Sequence, residues 1–154
     1  MTVWARKSVI YALVLISFYS LLIIGLIQSA KAPAFKTSYI TAKIGERNFE
    51  LEIADTPESH QQGLSGRTEM PNEKGMLFAF STPESACFWM KDMEFNLSVL
   101  WFDADRKLIY QQQNVAPSSY PKSFCPSALA TYVVEVNPNL VDMKLGDELV
   151  LQKQ

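Results

Sequence analysis

The 154-residue sequence holds one histidine, two cysteines and no surplus of basic residues (14 against 16 acidic), and each shortage narrows what the chain can do. With His60 alone, no histidine-rich zinc centre can be assembled, because an open catalytic site takes about three N, O or S ligands from the protein. Ser59 and His60 are sequence neighbours that point to different faces of a helix, so no serine triad follows from their spacing. His60 reads as an exposed helix residue beside Gln61 and Gln62. Arg6 and Lys7 are the only charges before Gln28, which leaves 12 bases against 16 acids in the remainder, a balance of -4. That balance argues against nucleic acid as a partner, since such proteins carry a basic face. The acids are scattered, no pair declares itself as an acid/base couple, and nothing in the sequence calls for a cofactor.

Charge is missing altogether from Val9 to Ile27, a run of 19 residues that also lacks proline and amide side chains. As a helix it would be about 28 Å long, near the thickness of a bilayer's hydrocarbon core. Its few polar residues, Ser17, Ser20 and two tyrosines, are too scattered to make the polar face of a buried core helix. The run therefore reads as a transmembrane anchor or an uncleaved signal. Arg6 and Lys7 keep residues 1–8 cytoplasmic and place everything after Gln28 outside, as a single-pass protein of the cell membrane. Ala30-Lys31-Ala32 fits a signal-peptide cleavage pattern. Retention is favoured because the run exceeds the usual length of about 7 to 15 residues and Pro33 would follow the scissile bond.

Residues 28–37 read as a stalk, and one domain occupies 38–154. Tyr39–Ile44 and Phe49–Ile53 alternate apolar with polar residues around Gly45-Glu46-Arg47-Asn48, the pattern of a hairpin. Thr56-Pro57-Glu58 supplies an N-cap, a proline at the first helical position and an acid in the first turn, predicting a short helix that ends near Gly63 or Gly66. GMLFAF, ACFWM, LSVLWFD, KLIYQQQ, TYVVEV and ELVLQ are aromatic and β-branched runs that predict strands. Ser81-Thr82-Pro83-Glu84 splits the first two, Val115 to Ala130 is a long ordered loop, and Asn137-Pro138 suggests a second helix start. The expected fold is mainly β with two short helices (α+β), a compact and mostly antiparallel sheet or barrel preceded by one N-terminal transmembrane helix.

ELEIADTPESHQQGLSGR, GMLFAF, CFWMKDMEFNLSVLWFDAD, the Cys-Pro-Ser at Cys125 and TYVVEVNPN followed by LGD occur in the order seen in the bacterial and archaeal family DUF192, which this sequence resembles over nearly the whole exported domain. The resemblance implies a fold and a motif set but no reaction. Asp92-Met93 stands where the family pattern suggests Asn-Thr, and Asn96 where a proline is frequent.

Strand alternation puts Cys87, Trp89 and Lys91 on one face and Phe88 and Met90 on the other. If the latter is core, Trp89 and Lys91 project outward as a ligand platform of flat indole and cation. Arg67, on the Gly63-Leu64-Ser65-Gly66 turn, either joins that platform to bind a carboxylate or phosphate, or pairs with Glu69 or Asp55. The domain is thus expected to be a ligand- or partner-binding module of the envelope, taking an anionic or carbohydrate ligand or a protein partner at Arg67, Trp89 and Lys91. Two alternatives come from other classes: an envelope enzyme using Lys91 or Glu135 as general base, and Cu(I) handling through Cys87, Met90 and Met93. Cys87 and Cys125, the only cysteines, are expected to form a disulfide in an oxidising compartment, with two buried free thiols as the alternative.

Overall fold

The computed structural model describes residues 37–152 together with Ile16 and Tyr19. The predicted anchor at 9–27, those two residues apart, lies outside this description, as do residues 1–8 and most of the stalk. Among the described residues no helix is long and apolar enough to cross a membrane.

Strands β1 (Tyr39–Ile44) and β2 (Arg47–Ala54) form the predicted hairpin. Its two-residue turn has Gly45 at φ 58°, as a turn with a positive φ at its first central residue demands. Helix α1 (Pro57–Gln62) follows, capped by Thr56, whose hydroxyl accepts from the Ser59 amide while the Ser59 hydroxyl accepts from the Thr56 amide. Gly63, at φ 50°, closes the helix. This crossover lets β3 (Lys74–Glu84) run parallel to β2, the one parallel pairing in the sheet. The remaining strands are β4 (Phe88–Trp89), β5 (Leu97–Phe102), β6 (Leu108–Val115), β7 (Ser123–Phe124), β8 (Ala130–Val136) and β9 (Val150–Gln152). Seven of them build one sheet in the order β6-β5-β8-β3-β2-β1-β9, and β4 pairs with β7 in a separate ribbon.

Three expectations need correction. The sheet is not closed into a barrel: β6 and β9 are its edges, and the chain ahead of β9 meets the chain ahead of β6 through the bridge between Lys107 and Glu148 and a few flanking backbone hydrogen bonds rather than through a strand ladder. Asn137-Pro138 starts no second helix. The Asn137 amide donates to the Met70 carbonyl (2.6 Å) and the Asn72 side chain (3.0 Å) instead of capping, and Asn139 takes φ 62°, outside the right-handed helical region. GMLFAF and the FW of ACFWM do lie in separate strands, but Ser81-Thr82-Pro83-Glu84 forms the end of β3 rather than the break, because a register shift against β8 between Ala79 and Glu84 accommodates a proline that cannot donate to the ladder.

Both faces of the sheet are covered. One holds Ile44, Phe49, Leu51, Leu77, Leu100, Phe102, Val134 and Val136, and the other Met76, Phe78, Val99, Trp101 and Val133. All six β5 residues are buried, as a central strand with two covered faces requires. Between β2 and β8, Gly75 has no room for a side chain: a Cβ there would stand 2.6 Å from the Glu135 carbonyl oxygen and 2.8 Å from a Leu51 methyl.

Candidate functional site

The site lies over the second face, where α1, the turn after it and the β4–β7 ribbon close above β3 and β8. Four interactions hold it in place. The buried Trp101 indole donates to the Ala86 carbonyl at 2.7 Å, fixing the chain just ahead of β4. Phe88 packs edge-to-face on both Phe78 (4.7 Å between centroids) and Trp101 (5.7 Å), which keys β4 into the core. Across the ribbon Phe88 pairs with Phe124 and Trp89 with Ser123, so the same register sets Cys87 opposite Cys125. Those two are joined by a disulfide, with Cα atoms 4.2 Å apart. Finally, the Ser65 hydroxyl donates to the Lys91 carbonyl (2.9 Å) and the Gly66 amide to the Asp92 carbonyl (2.8 Å), clasping the two turns together. Asp92 stands there at φ 55°, a conformation asparagine and aspartate tolerate better than most residues.

These elements enclose a pocket of about 290 Å³. Its wall is aromatic, made by His60, Phe78, Phe80, Phe88 and Trp89, with Leu64 and Met93; Glu84 also lines it, and Glu135 completes the lining. No Lys or Arg lines it. Trp89 is 52% exposed, so a flat indole surface remains available at the pocket. His60 is half-buried rather than exposed: its ring lies 4.6 Å from that of Phe80, and Nε2 stands 2.9 Å from the Ala54 carbonyl oxygen. A carbonyl can only accept, so Nε2 carries the proton.

Glu135 is the unusual member. On β8 it shares a face with Val133, and register sets Glu52, Met76, Glu135 and Val99 in one row across β2, β3, β8 and β5. It is 5% exposed and its Oε2 has no hydrogen-bond partner. Burial pushes its carboxyl up from 4.5 to about 8, against a smaller opposing pull from the Arg67 cation. At neutral pH the group is therefore mostly a protonated acid, able to donate a hydrogen bond.

Of the three residues picked from the sequence, only Trp89 lines the pocket. The burial of residues 87 to 91 does alternate, with Met90 buried between exposed Trp89 and Lys91. Yet the strand ends at Trp89, and Lys91 belongs to the turn clasped by Ser65 rather than to the lining. Arg67 takes neither predicted acid as its partner: one terminal nitrogen lies 2.9 Å from both Glu52 carboxylate oxygens. Cys87 is consumed by the disulfide and offers no thiolate in this state, and Met90 is buried, so Cys87, Met90 and Met93 present no soft-metal set. The signal that could have found Glu135 is a single acid inside the apolar run Val133-Val134-Glu135-Val136.

A family model matches residues 40–151, and the chain belongs to that family, DUF192, described as uncharacterized ACR. Among curated proteins no relative matches. The fold is shared with the crystal structure of a candidate transcription regulator from Sinorhizobium meliloti 1021, at 24% identity and a TM-score of 0.70 over 75% of this chain and 95% of that one. A protein of unknown function from Novosphingobium aromaticivorans DSM 12444 is similar at 25% identity and a TM-score of 0.66, covering 78% and 90% of the two chains.

Proposed function

We propose that this chain is a membrane-anchored, extracytoplasmic binding module that holds a small carbohydrate-like ligand in the pocket beneath Trp89. The observation that carries this reading is the pairing of an exposed indole with a buried, unpartnered carboxyl in one concavity. Sugars bind in just such settings, laying an apolar ring face on an aromatic plane while hydroxyls meet polar groups. The volume suits a ligand of about one ring. The absence of cations from the lining weighs against the anionic ligand, since Arg67 is already matched by Glu52.

Titrating the full-length protein in detergent micelles with glucose and with glucosamine tests the reading, followed through the Trp89 indole N–H signal by NMR. Binding should shift that signal for at least one of the sugars, and Trp89→Ala should abolish the remaining pocket shifts. No shift with either sugar would sink the carbohydrate reading. The exported location rests on the uncharged run at 9–27 behind Arg6 and Lys7, and a disulfide suits an oxidising compartment. A reporter fused after Gln154 should work only if it is active outside the cytoplasm; activity of a cytoplasm-dependent reporter alone would overturn it.

An envelope enzyme is the second reading, favoured by the raised carboxyl of Glu135. It lacks an activated nucleophile: Cys87 is bridged, and the Ser65 hydroxyl is spent on the Lys91 carbonyl. The regulator name borne by the Sinorhizobium meliloti protein finds no support in the charge balance of this one.

A further inference from the structure

Resting on the reading of this pocket as a ligand site, we infer that the ligand it is built for carries a primary ammonium group, seated among the aromatic rings and ion-paired with Glu135. Three observations converge on a cation. The lining has two carboxyl groups, Glu84 and Glu135, and no lysine or arginine. Phe80, Phe88 and Trp89 line the space, and aromatic rings attract ammonium ions through their quadrupoles. Glu135 is 95% buried and its Oε2, out of reach of solvent, has no hydrogen-bond partner. An unpartnered buried acid costs stability, so its retention at the pocket asks for a group that completes it.

The charged groups around Glu135 permit this. Among the described residues Arg67 is the cation whose field reaches it, and Glu52 grips that guanidinium at 2.9 Å, leaving little net charge to repel an incoming ammonium. The His60 ring is tied by its Nε2–H to the Ala54 carbonyl, and Glu84 adds an exposed negative charge to the lining. The balance of the binding step is simple. Empty, the pocket holds Glu135 protonated; on arrival of R–NH₃⁺ the O–H bond of Glu135 breaks, its proton passes to solvent, and a carboxylate–ammonium pair forms with N–H donated to Oε2. An amino sugar would satisfy the carbohydrate reading and this one together.

Isothermal titration of the full-length protein in micelles at pH 6, in buffers of different ionisation enthalpy, separates the two readings. Glucosamine, glucose and methylammonium are the probes. Glucosamine should bind at least about tenfold more tightly than glucose, as a charge-assisted hydrogen bond predicts, and release close to one proton per ligand. Glu135→Gln should abolish both the preference and the release. If that variant does not fold, proton release by the unaltered protein still decides. Equal binding of the two sugars, or glucosamine binding without proton release, overturns the ammonium while leaving the carbohydrate reading intact. Methylammonium binding with proton release, and no sugar binding, keeps the ammonium and removes the carbohydrate. Silence from all three overturns both.

Discussion

The two faces of the sheet draw on the same strands and do different work. On β8, Val134 and Val136 point into a face that is apolar but for Ser98, whose buried hydroxyl is satisfied by Gln113, while one residue out of step Val133 and Glu135 point into the other. The first face closes over Phe49, Leu51, Leu77, Leu100 and Phe102 without a buried acid among them. The second is interrupted by a pocket, carries an acid with an unpartnered oxygen, and is roofed by a two-residue ribbon, a six-residue helix and a disulfide. A sheet can thus assign stability to one surface and recognition to its reverse, with alternation along a single strand keeping them apart. The cross-link also has a reason in this contrast. A roof of such short elements buries too little to hold itself, and a bridge spanning 38 residues removes freedom from the unfolded chain.

Breaking each face in turn should give unequal costs. Phe49 is 1% exposed in the closed face, so Phe49→Ala empties a packed space and should cost about 4 kcal/mol. Trp89→Ala removes a larger ring from the pocket side, yet with half its surface already in water the loss should stay under about 2 kcal/mol. Urea unfolding of both variants beside the unaltered protein checks the pair. A Trp89 cost equal to that of Phe49 would mean that the pocket side is as much core as its reverse, and the division of labour would fall.

Much of this division was readable in the sequence, and the limits of the reading are physical. Alternation identified the β1–β2 hairpin and the exposed side of Trp89, and Thr56-Pro57 marked α1, because these depend on residues a few positions apart. The Arg67–Glu52 pair joins a turn to a strand 15 positions away, and only the crossover that makes β2 and β3 parallel brings them together. Lys91 was misplaced for the opposite reason: alternation was carried past Trp89, where the chain has already turned to meet Ser65. For His60, one helical turn was visible but the β3 aromatics that half-bury it were not. Glu135 stood in plain view in an apolar run, but periodicity says which face a residue joins, not whether that face is covered.

A subtler test of the two faces uses pH, because among the described residues the buried acid lies on the pocket face. Glu135 moves from 4.5 in its ordinary state to about 8 when folded. Between those values the folded chain keeps a proton that the unfolded chain has lost, so the unfolded state binds fewer protons and stability falls as pH rises. The contribution is fully present below about pH 4.5 and is lost progressively up to about pH 8, the reverse of the trend for a carboxylate held in a salt bridge. From pH 5 to pH 7 the loss should be about 2 kcal/mol, discounting the full linkage value for relaxation around the charge. Glu135→Gln keeps the shape, cannot ionise and should flatten that slope, with the two proteins differing most at the alkaline end. Thermal unfolding across this range, with Phe49→Ala as the control on the closed face, separates the cases: the Phe49 variant should run parallel to the unaltered protein at lower stability. A Glu135→Gln curve that also runs parallel would show that the carboxyl is ionised in the folded protein at neutral pH, which would deprive the pocket of its proton and the ammonium of its exchange.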